Sequence, residues 1–161
     1  MSLVDIILKR RSIRNYRNES IPEKVLRNIL EAGRMAPSAN NSQPWHFVVI
    51  TESKLKEKLA TGRWNRFIKD SAITIVGCRD RDNEWSIVDV TIALENMVIA
   101  AEAQGVGSCW IGDFIENELK ELLAIPQNLE VVALLTFGYP AEKPTSPKKK
   151  KLEEIVHYNR F

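Results

Sequence analysis

The stretch that decides the fold runs from Asp89 to Gln104 and reads DVTIALENMVIAAEAQ. Its pattern predicts one long helix, and Gly105 directly after it is typical of a helix C-cap. The helix is apolar over most of its circumference, so it must be covered on nearly every side. Because a chain of 161 residues would struggle to cover it alone, we expect part of it to pack against a second subunit.

Helical and strand-like patterns alternate along the rest of the chain. Helices are expected over about Leu3–Lys9, from a capping box at Ser20 and Glu23 to about Met35, over Ser53–Ala60 and over Glu116–Leu123. Strands are expected at Phe47–Ile50, Ile73–Cys78, Ser108–Ile111 and Val131–Phe137, with a last short helix or strand at Leu152–Val156. This alternation predicts mixed α and β layers around one sheet, and the length fits a single domain spanning 1–161.

Composition and charge narrow the classes of function. The chain is 44% hydrophobic and 27% charged, as in an ordinary globular protein, and its formal net charge is only +2. We therefore expect neither a nucleic acid nor a membrane as partner. The longest apolar-rich segment, Val90 to Ala101, is shorter than the roughly 20 residues of a membrane span, and no signal-like start is visible, so a cytoplasmic location fits best. Cys78 and Cys109 lack metal-type spacing, so we expect buried, reduced thiols and no metal site.

Two basic clusters lie far apart in the sequence. Arg10, Arg11 and Arg14 crowd the stretch KRRSIRNY (9–16), and Lys148 to Lys151 follow Pro147. Each cluster alone has an ordinary explanation, as a solvated helix end for the first and a solvated tail for the second. A single phosphate held by arginine from one and lysine from the other accounts for both. No glycine-rich phosphate loop is present, so side chains would have to hold such a phosphate.

A polar loop follows the second predicted helix. Residues 36–47 read APSANNSQPWHF, with two serines, two asparagines and a glutamine side by side. A loop this rich in hydrogen-bonding side chains is rarely only a connector. We expect a bound group to lie against it.

Three motifs together resemble the nitroreductase family of FMN flavoproteins. They are RRSIRNY (10–16), PSANNSQPW (37–45) and LEEIVHY (152–158), and they occur in the family's order over nearly the whole chain. The first two are fairly specific, whereas the third is weaker. The resemblance implies an α+β fold with a central, mostly antiparallel sheet flanked by helices, and a homodimer with FMN at its interface. The chain is short for this family, so an inserted helical arm near the substrate channel is expected to be absent.

The resemblance also implies which residues hold FMN. The opening basic motif would contact the flavin and its phosphate, the 37–43 loop would edge the ring bound by the partner subunit, and the stretch around Gly112 would pass the flavin N5 edge. Phosphate ligands would come from the lysine run. The implied cofactor residues are Arg10, Arg11, Ser12, Arg14, Pro37, Ser38, Ala39, Asn41, Gln43, Trp110, Ile111, Gly112, Lys148 and Lys150.

The implied activity is reduction of nitroaromatics or quinones by NADH or NADPH, with ping-pong kinetics. A positive charge from Arg14 would stabilise the reduced flavin, and no acid, base or nucleophile of the protein is required. His46 and His157 are interpreted as structural, and the tryptophans as packing residues, with Trp110 nearest the flavin. The alternatives are another flavin-dependent reduction, such as dehalogenation or ene reduction, and a nucleic-acid-binding module that uses the basic clusters.

Overall fold

The computed structural model describes residues 2–161 and contains one four-stranded sheet with the strand order β1-β2-β4-β3. The strands are β1 (Trp45–Ile50), β2 (Ile73–Asp80), β3 (Gly107–Ile111) and β4 (Leu129–Gly138). The α-helices are α1 (Leu3–Lys9), α2 (Glu23–Arg34), α3 (Ser53–Leu59), α4 (Ser86–Glu102) and α5 (Glu116–Leu123). Short 3-10 helices cover Ala39–Asn41, Arg66–Asp70 and Leu152–Glu154.

All three strand pairs of the sheet are antiparallel, which confirms the predicted fold class. The central strands β2 and β4 are mostly buried, as expected for strands whose two faces are both covered. Their register shifts by one residue between Gly77 and Cys78. Such a bulge bends the strand locally.

Helix α4 packs on one face of the sheet and forms the centre of the larger core. Val90, Leu94, Met97 and Val98 are fully buried against residues of α2, β2 and β4. The helices α2 and α4 approach closely, since a Cβ atom at Gly33 would lie 2.2 Å from the Met97 methyl carbon. A smaller core on the opposite face includes Ile68, Val76, Leu119 and Leu134, so the fold has three layers.

One chain leaves part of α4 uncovered. Ile87 and Val88, in its first turn, are 50% and 45% exposed, although most of its later apolar residues are covered. Leu3 and Leu8 of α1 are likewise exposed at 63% and 66%. These apolar side chains form the surface that a second subunit is expected to cover.

Three predicted helix ends are wrong, and the first is the start of α4, which lies at Ser86 and not at Asp89. Helix α2 begins at Glu23 with Pro22 as its N-cap and has no side-chain cap, so Ser20 forms no capping box. Helix α4 ends at Glu102 with Ala103 as its C-cap. Gly105 (φ +75°) instead lies in the turn that leads into β3, where a left-handed conformation favours glycine.

Two further expectations are resolved by the structure. Leu152–Glu154, within the segment expected to form a short helix or strand, forms a 3-10 helix. Cys78 and Cys109 are both free and buried, as predicted. None of the helices described for residues 2–161 combines the length and the apolar character that a membrane crossing requires.

Candidate cofactor site

The basic segment Arg10–Arg17 is fixed along the edge of strand β3. The Ile13 N–H donates a hydrogen bond to the Ser108 carbonyl oxygen over 2.9 Å, and Ser12 forms a parallel bridge with Ser108. The Arg17 N–H donates to the Tyr139 carbonyl oxygen over 2.8 Å. The segment is therefore held near its middle by β3 and at its end by the residue that follows β4.

The buried side chain of Tyr16 anchors the middle of this segment. Its hydroxyl donates to the Ile13 carbonyl oxygen over 2.6 Å and lies 2.8 Å from the Thr136 hydroxyl. Burial raises the pKa of the Tyr16 phenol, so the hydroxyl keeps the proton that it donates. The position of the arginines is thus set by the core as well as by the backbone.

Two glycines allow the basic segment to lie this close to the sheet. A Cβ atom at Gly107 would lie 2.6 Å from Ile13 Cγ1, and one at Gly138 would lie 2.7 Å from Tyr16 Cδ1. Both distances are shorter than van der Waals contact allows. The sequence did not single out these glycines, because the approach joins residues far apart in the chain.

A basic cavity of about 300 Å³ lies beside the segment. It joins the two basic stretches of the sequence, and Arg11 reaches across to donate from Nη2 to the Ser146 hydroxyl over 2.8 Å. Its lining residues are Arg10, Arg11, Ser12, Arg14, Pro144, Thr145, Pro147 and Lys149. Three arginines, a lysine and hydroxyl groups around one space form a site suited to an anion.

One lysine of the 148–151 run lines the same cavity as the arginines. Lys149 lines the basic cavity, whereas Lys148 and Lys150 line an adjoining cavity of about 620 Å³ together with Lys149, Lys151 and Glu154. The choice of Lys148 and Lys150 as phosphate ligands therefore stays a prediction, and Lys149 is a candidate that the sequence reasoning missed. Four consecutive lysines carry no local signal that sets their register.

A second cavity of about 540 Å³ adjoins Arg14 on the side of β3. It contains the predicted residues Trp110, Ile111 and Gly112, and a Cβ atom added at Gly112 would meet no other atom within 4 Å. The other lining residues are Arg14, Trp64, Phe67 and Asp113. We call this the aromatic cavity. Arg14 lines both cavities, so the two spaces meet at this residue.

A residue of helix α4, Glu95, holds Trp110, which is one of the residues that line the aromatic cavity. The Trp110 Nε1–H donates a hydrogen bond to Glu95 Oε2 over 3.1 Å. This bond fixes the indole ring, since a partly buried indole N–H requires an acceptor.

The 37–43 loop lies apart from both cavities within one chain. The Ala39 N–H donates to the buried Asp89 carboxylate over 3.2 Å, and the Gln43 N–H donates to Ser38 Oγ over 3.0 Å. Asn41 and Gln43 adopt positive φ angles of 55° and 50°, and Pro37 is exposed. None of the residues described as lining the two cavities comes from this loop. The Gln43 Nε2–H also donates to the Asn41 carbonyl oxygen over 3.2 Å, so several polar groups of the loop bond within the loop itself.

The histidines and cysteines lie outside the two cavities. His46 pairs with Asp80 over 3.2 Å, and the His157 ring stacks on Phe161 at 4.1 Å. Burial raises the pKa of both the Cys78 and Cys109 thiols, which disfavours the reactive thiolate. Neither the histidines nor the cysteines are therefore among the residues that line the two cavities.

The geometry defines a class of protein. Its members have an antiparallel α+β fold in which a basic cavity lies beside an aromatic cavity. A family model described as the nitroreductase family matches residues 7–72 and 60–139. The chain belongs to the nitroreductase family, as its three motifs predicted.

Solved structures of the family extend the likeness to nearly the whole chain. A nitroreductase family protein from Clostridium novyi NT is 34% identical, with a TM-score of 0.83 over 88% of this chain and 87% of that one. An FMN-dependent nitroreductase from Clostridium difficile R20291 is 27% identical, with a TM-score of 0.91 over 98% and 99%. An NADPH:FMN oxidoreductase from Vibrio harveyi, complexed with NAD+, is 26% identical, with a TM-score of 0.93 over 99% and 77%.

Proposed function

We propose that this protein is an FMN-dependent oxidoreductase, formed by a single domain over residues 1–161, that uses NADH or NADPH to reduce nitroaromatic or quinone acceptors. The observation that carries the proposal is the place of Arg14 between the basic cavity and the aromatic cavity. FMN combines a phosphate and a planar ring in one molecule, and these are the two chemistries that the paired cavities are suited to hold. Its relatives named above include enzymes whose names contain FMN and NADPH.

The residues of the site fit FMN on structural grounds. The basic cavity brings permanent positive charge from Arg10, Arg11 and Arg14 together with the Ser12 hydroxyl, which suits a phosphate. Lysines from the 148–151 run, predicted to be Lys148 and Lys150, would supply further positive charge. The missing side chain at Gly112 leaves space for a ring to approach the backbone next to Trp110 and Ile111.

When bound, FMN would accept hydride from the nicotinamide donor and deliver it to the acceptor. The chain's own residues would bind and orient the reactants. The permanent charge of Arg14 would favour negative charge that develops on the neighbouring ring, which stabilises the reduced state. Because one aromatic cavity would receive donor and acceptor in turn, we expect ping-pong kinetics.

The proposed active form is a homodimer with FMN sites at its interface. The exposed apolar side chains of α1 and α4, among them Leu3, Leu8, Ile87 and Val88, support a partner surface. The loop residues Pro37, Ser38, Ala39, Asn41 and Gln43 would close the ring site of the partner subunit. Their separation from both cavities of their own chain supports this assignment.

The test is turnover by the purified protein after reconstitution with FMN. We expect a yellow dimer that oxidises NADH or NADPH when menadione or a nitroaromatic is supplied, with parallel lines in double-reciprocal plots. A panel with a halogenated phenol and an activated alkene separates nitro or quinone reduction from dehalogenation and ene reduction. A colourless protein that binds duplex DNA with strong salt dependence would instead favour the nucleic-acid alternative.

A further inference from the structure

We infer that Trp64 forms a stacking wall of the aromatic cavity and selects planar, electron-poor acceptors. The inference rests on the proposed function and adds a specificity residue to it. Trp64 lines the cavity together with Phe67, Trp110 and Gly112.

The exposure of Trp64 is the first observation. Its side chain is 69% exposed in one chain, although a large apolar ring is normally covered. The guanidinium carbon of Arg63 lies 4.8 Å from the centre of the indole ring, a cation–π distance. Arg63 covers one face of the ring, and the rest of this exposed, cavity-lining side chain is available to a ligand.

The backbone beneath this ring is firmly held. The Trp64 N–H donates to Asp113 Oδ2 over 2.6 Å, and Asp113 directly follows Gly112. The next residue, Asn65, is only 3% exposed and donates from Nδ2 to the carbonyl oxygens of Leu59 and Asp113, over 3.0 and 2.8 Å. The buried amide therefore fixes Trp64 relative to the end of β3.

The Asn65 side chain also fixes the turn before Trp64. The Gly62 N–H donates to Asn65 Oδ1 over 2.8 Å, and a Cβ atom at Gly62 would lie 2.5 Å from Asp113 Oδ2. Such a close approach requires glycine and leaves little room for other arrangements of the turn. The backbone that carries the Trp64 indole is thus fixed beside the cavity.

The chemistry of the Trp64 indole ring defines which ligands it recognises. Indole is electron-rich and stacks in an offset manner on planar rings. Nitroaromatics and quinones are planar and electron-poor, so they match this surface. A compact anion such as ferricyanide has no ring to stack and would gain nothing from Trp64.

The test compares the FMN-reconstituted wild type with Trp64→Leu and Trp64→Phe. Isothermal titration of the oxidised enzyme with 4-nitrobenzoate, without any NADH, measures binding apart from turnover. We expect Trp64→Leu to raise the Kd for 4-nitrobenzoate and the KM for menadione about tenfold, as loss of an aromatic stack implies. Trp64→Phe keeps a ring and should stay within about threefold of the wild type. FMN content should stay at the wild-type level in Trp64→Phe, and in Trp64→Leu the rate with menadione should fall more than the rate with ferricyanide.

Three results would overturn the inference. The first is unchanged nitrobenzoate binding in Trp64→Leu. The second is an equal loss with ferricyanide and with menadione. The third is a change from dimer to monomer in light scattering, which would assign Trp64 to the subunit interface. The proposed function fails separately, if the wild type retains no FMN or transfers no electrons from NADH to any acceptor, ferricyanide included.

Discussion

The backbone N–H of Ile13 donates a hydrogen bond to the carbonyl oxygen of Ser108 over 2.9 Å and so joins the basic segment to strand β3. Together with the bonds of Tyr16 and Arg17, this contact holds a motif near the start of the chain against the strand that leads to Gly112. Arg14, the next residue, lines both the basic cavity and the aromatic cavity. Changes that disturb this contact should therefore affect cofactor binding.

Gly107→Ala tests the contact directly. The new Cβ atom would lie 2.6 Å from Ile13 Cγ1, so the basic segment must shift. We expect a loss of about 1–3 kcal/mol in the free energy of unfolding, as for overpacking, together with a higher Kd for FMN. Chemical denaturation and FMN titration measure the two effects.

Gly105→Ala is the matched control for that variant. Gly105 has a φ of +75°, so alanine there should cost about 1 kcal/mol in stability, but no atom lies within 4 Å of the added Cβ. FMN affinity should therefore stay at the wild-type value. If both variants weaken FMN binding equally, general destabilisation explains the effect and the contact has no special role.

Single alanine variants of the lysine run identify the lysines that bind phosphate. Lys149 lines the basic cavity with the arginines, whereas Lys151 lines only the adjoining cavity. We expect Lys149→Ala to raise the Kd for FMN about tenfold, in line with the loss of one charge-assisted hydrogen bond, and Lys151→Ala to leave it unchanged. FMN fluorescence quenching measures both. A loss only in Lys148→Ala and Lys150→Ala would favour the register that the family motif implies.

Asn65→Ala should destabilise the protein. The Asn65 side chain is 3% exposed and makes hydrogen bonds to Gly62, Leu59 and Asp113, so its removal leaves buried polar groups without partners. The expected loss is about 1–3 kcal/mol in the free energy of unfolding. Asn28→Ala is the control, since Asn28 bonds only to Gln104 at the surface and should change stability by less than about 0.5 kcal/mol. Equal losses in both variants would contradict a special role for Asn65.

The Cys78 thiol should make stability fall in alkali. Burial raises its pKa from 9.0 to about 11, because the folded state disfavours the thiolate. A folded-state pKa above the unfolded value means that this contribution is intact below pH 9 and is lost as the pH rises to about 11. Urea denaturation of the wild type and Cys78→Ala across this window should show the steeper decline in the wild type. Parallel declines would exclude Cys78 as the source.

Local patterns predicted most of the secondary structure. The strands at Ile73 and Val131 are dense runs of apolar and β-branched residues. The long helix predicted over Asp89–Gln104 has the composition of a covered helix and is found over Ser86–Glu102. The error at Ser20 has a local cause. Ile21 is buried and Pro22 is extended, so the chain stays outside the helix until Glu23, although Ser20 and Glu23 have capping-box spacing.

The arrangement of the residues around the two cavities was harder to predict from local sequence patterns. The motif carrying Arg14 is visible in the sequence, but its neighbours depend on contacts between distant segments, such as Ile13 with Ser108 and Trp64 with Asp113. No local pattern encodes those pairs. The apolar helix predicted from Asp89 is mostly covered within one chain, since Val90, Leu94, Met97 and Val98 are fully buried. Ile87 and Val88 are exposed but precede the predicted start, so cover by a second subunit stays a prediction.

The central claim is that basic side chains from two distant segments bind the phosphate of FMN. Calorimetric titration of the apoprotein with FMN and with riboflavin tests it most directly, because the two ligands differ only in that phosphate. The account predicts that FMN binds at least about 100-fold more tightly, since each charge-assisted hydrogen bond contributes about 1.5–3 kcal/mol. Equal affinity for both ligands, or no binding of either, would contradict it.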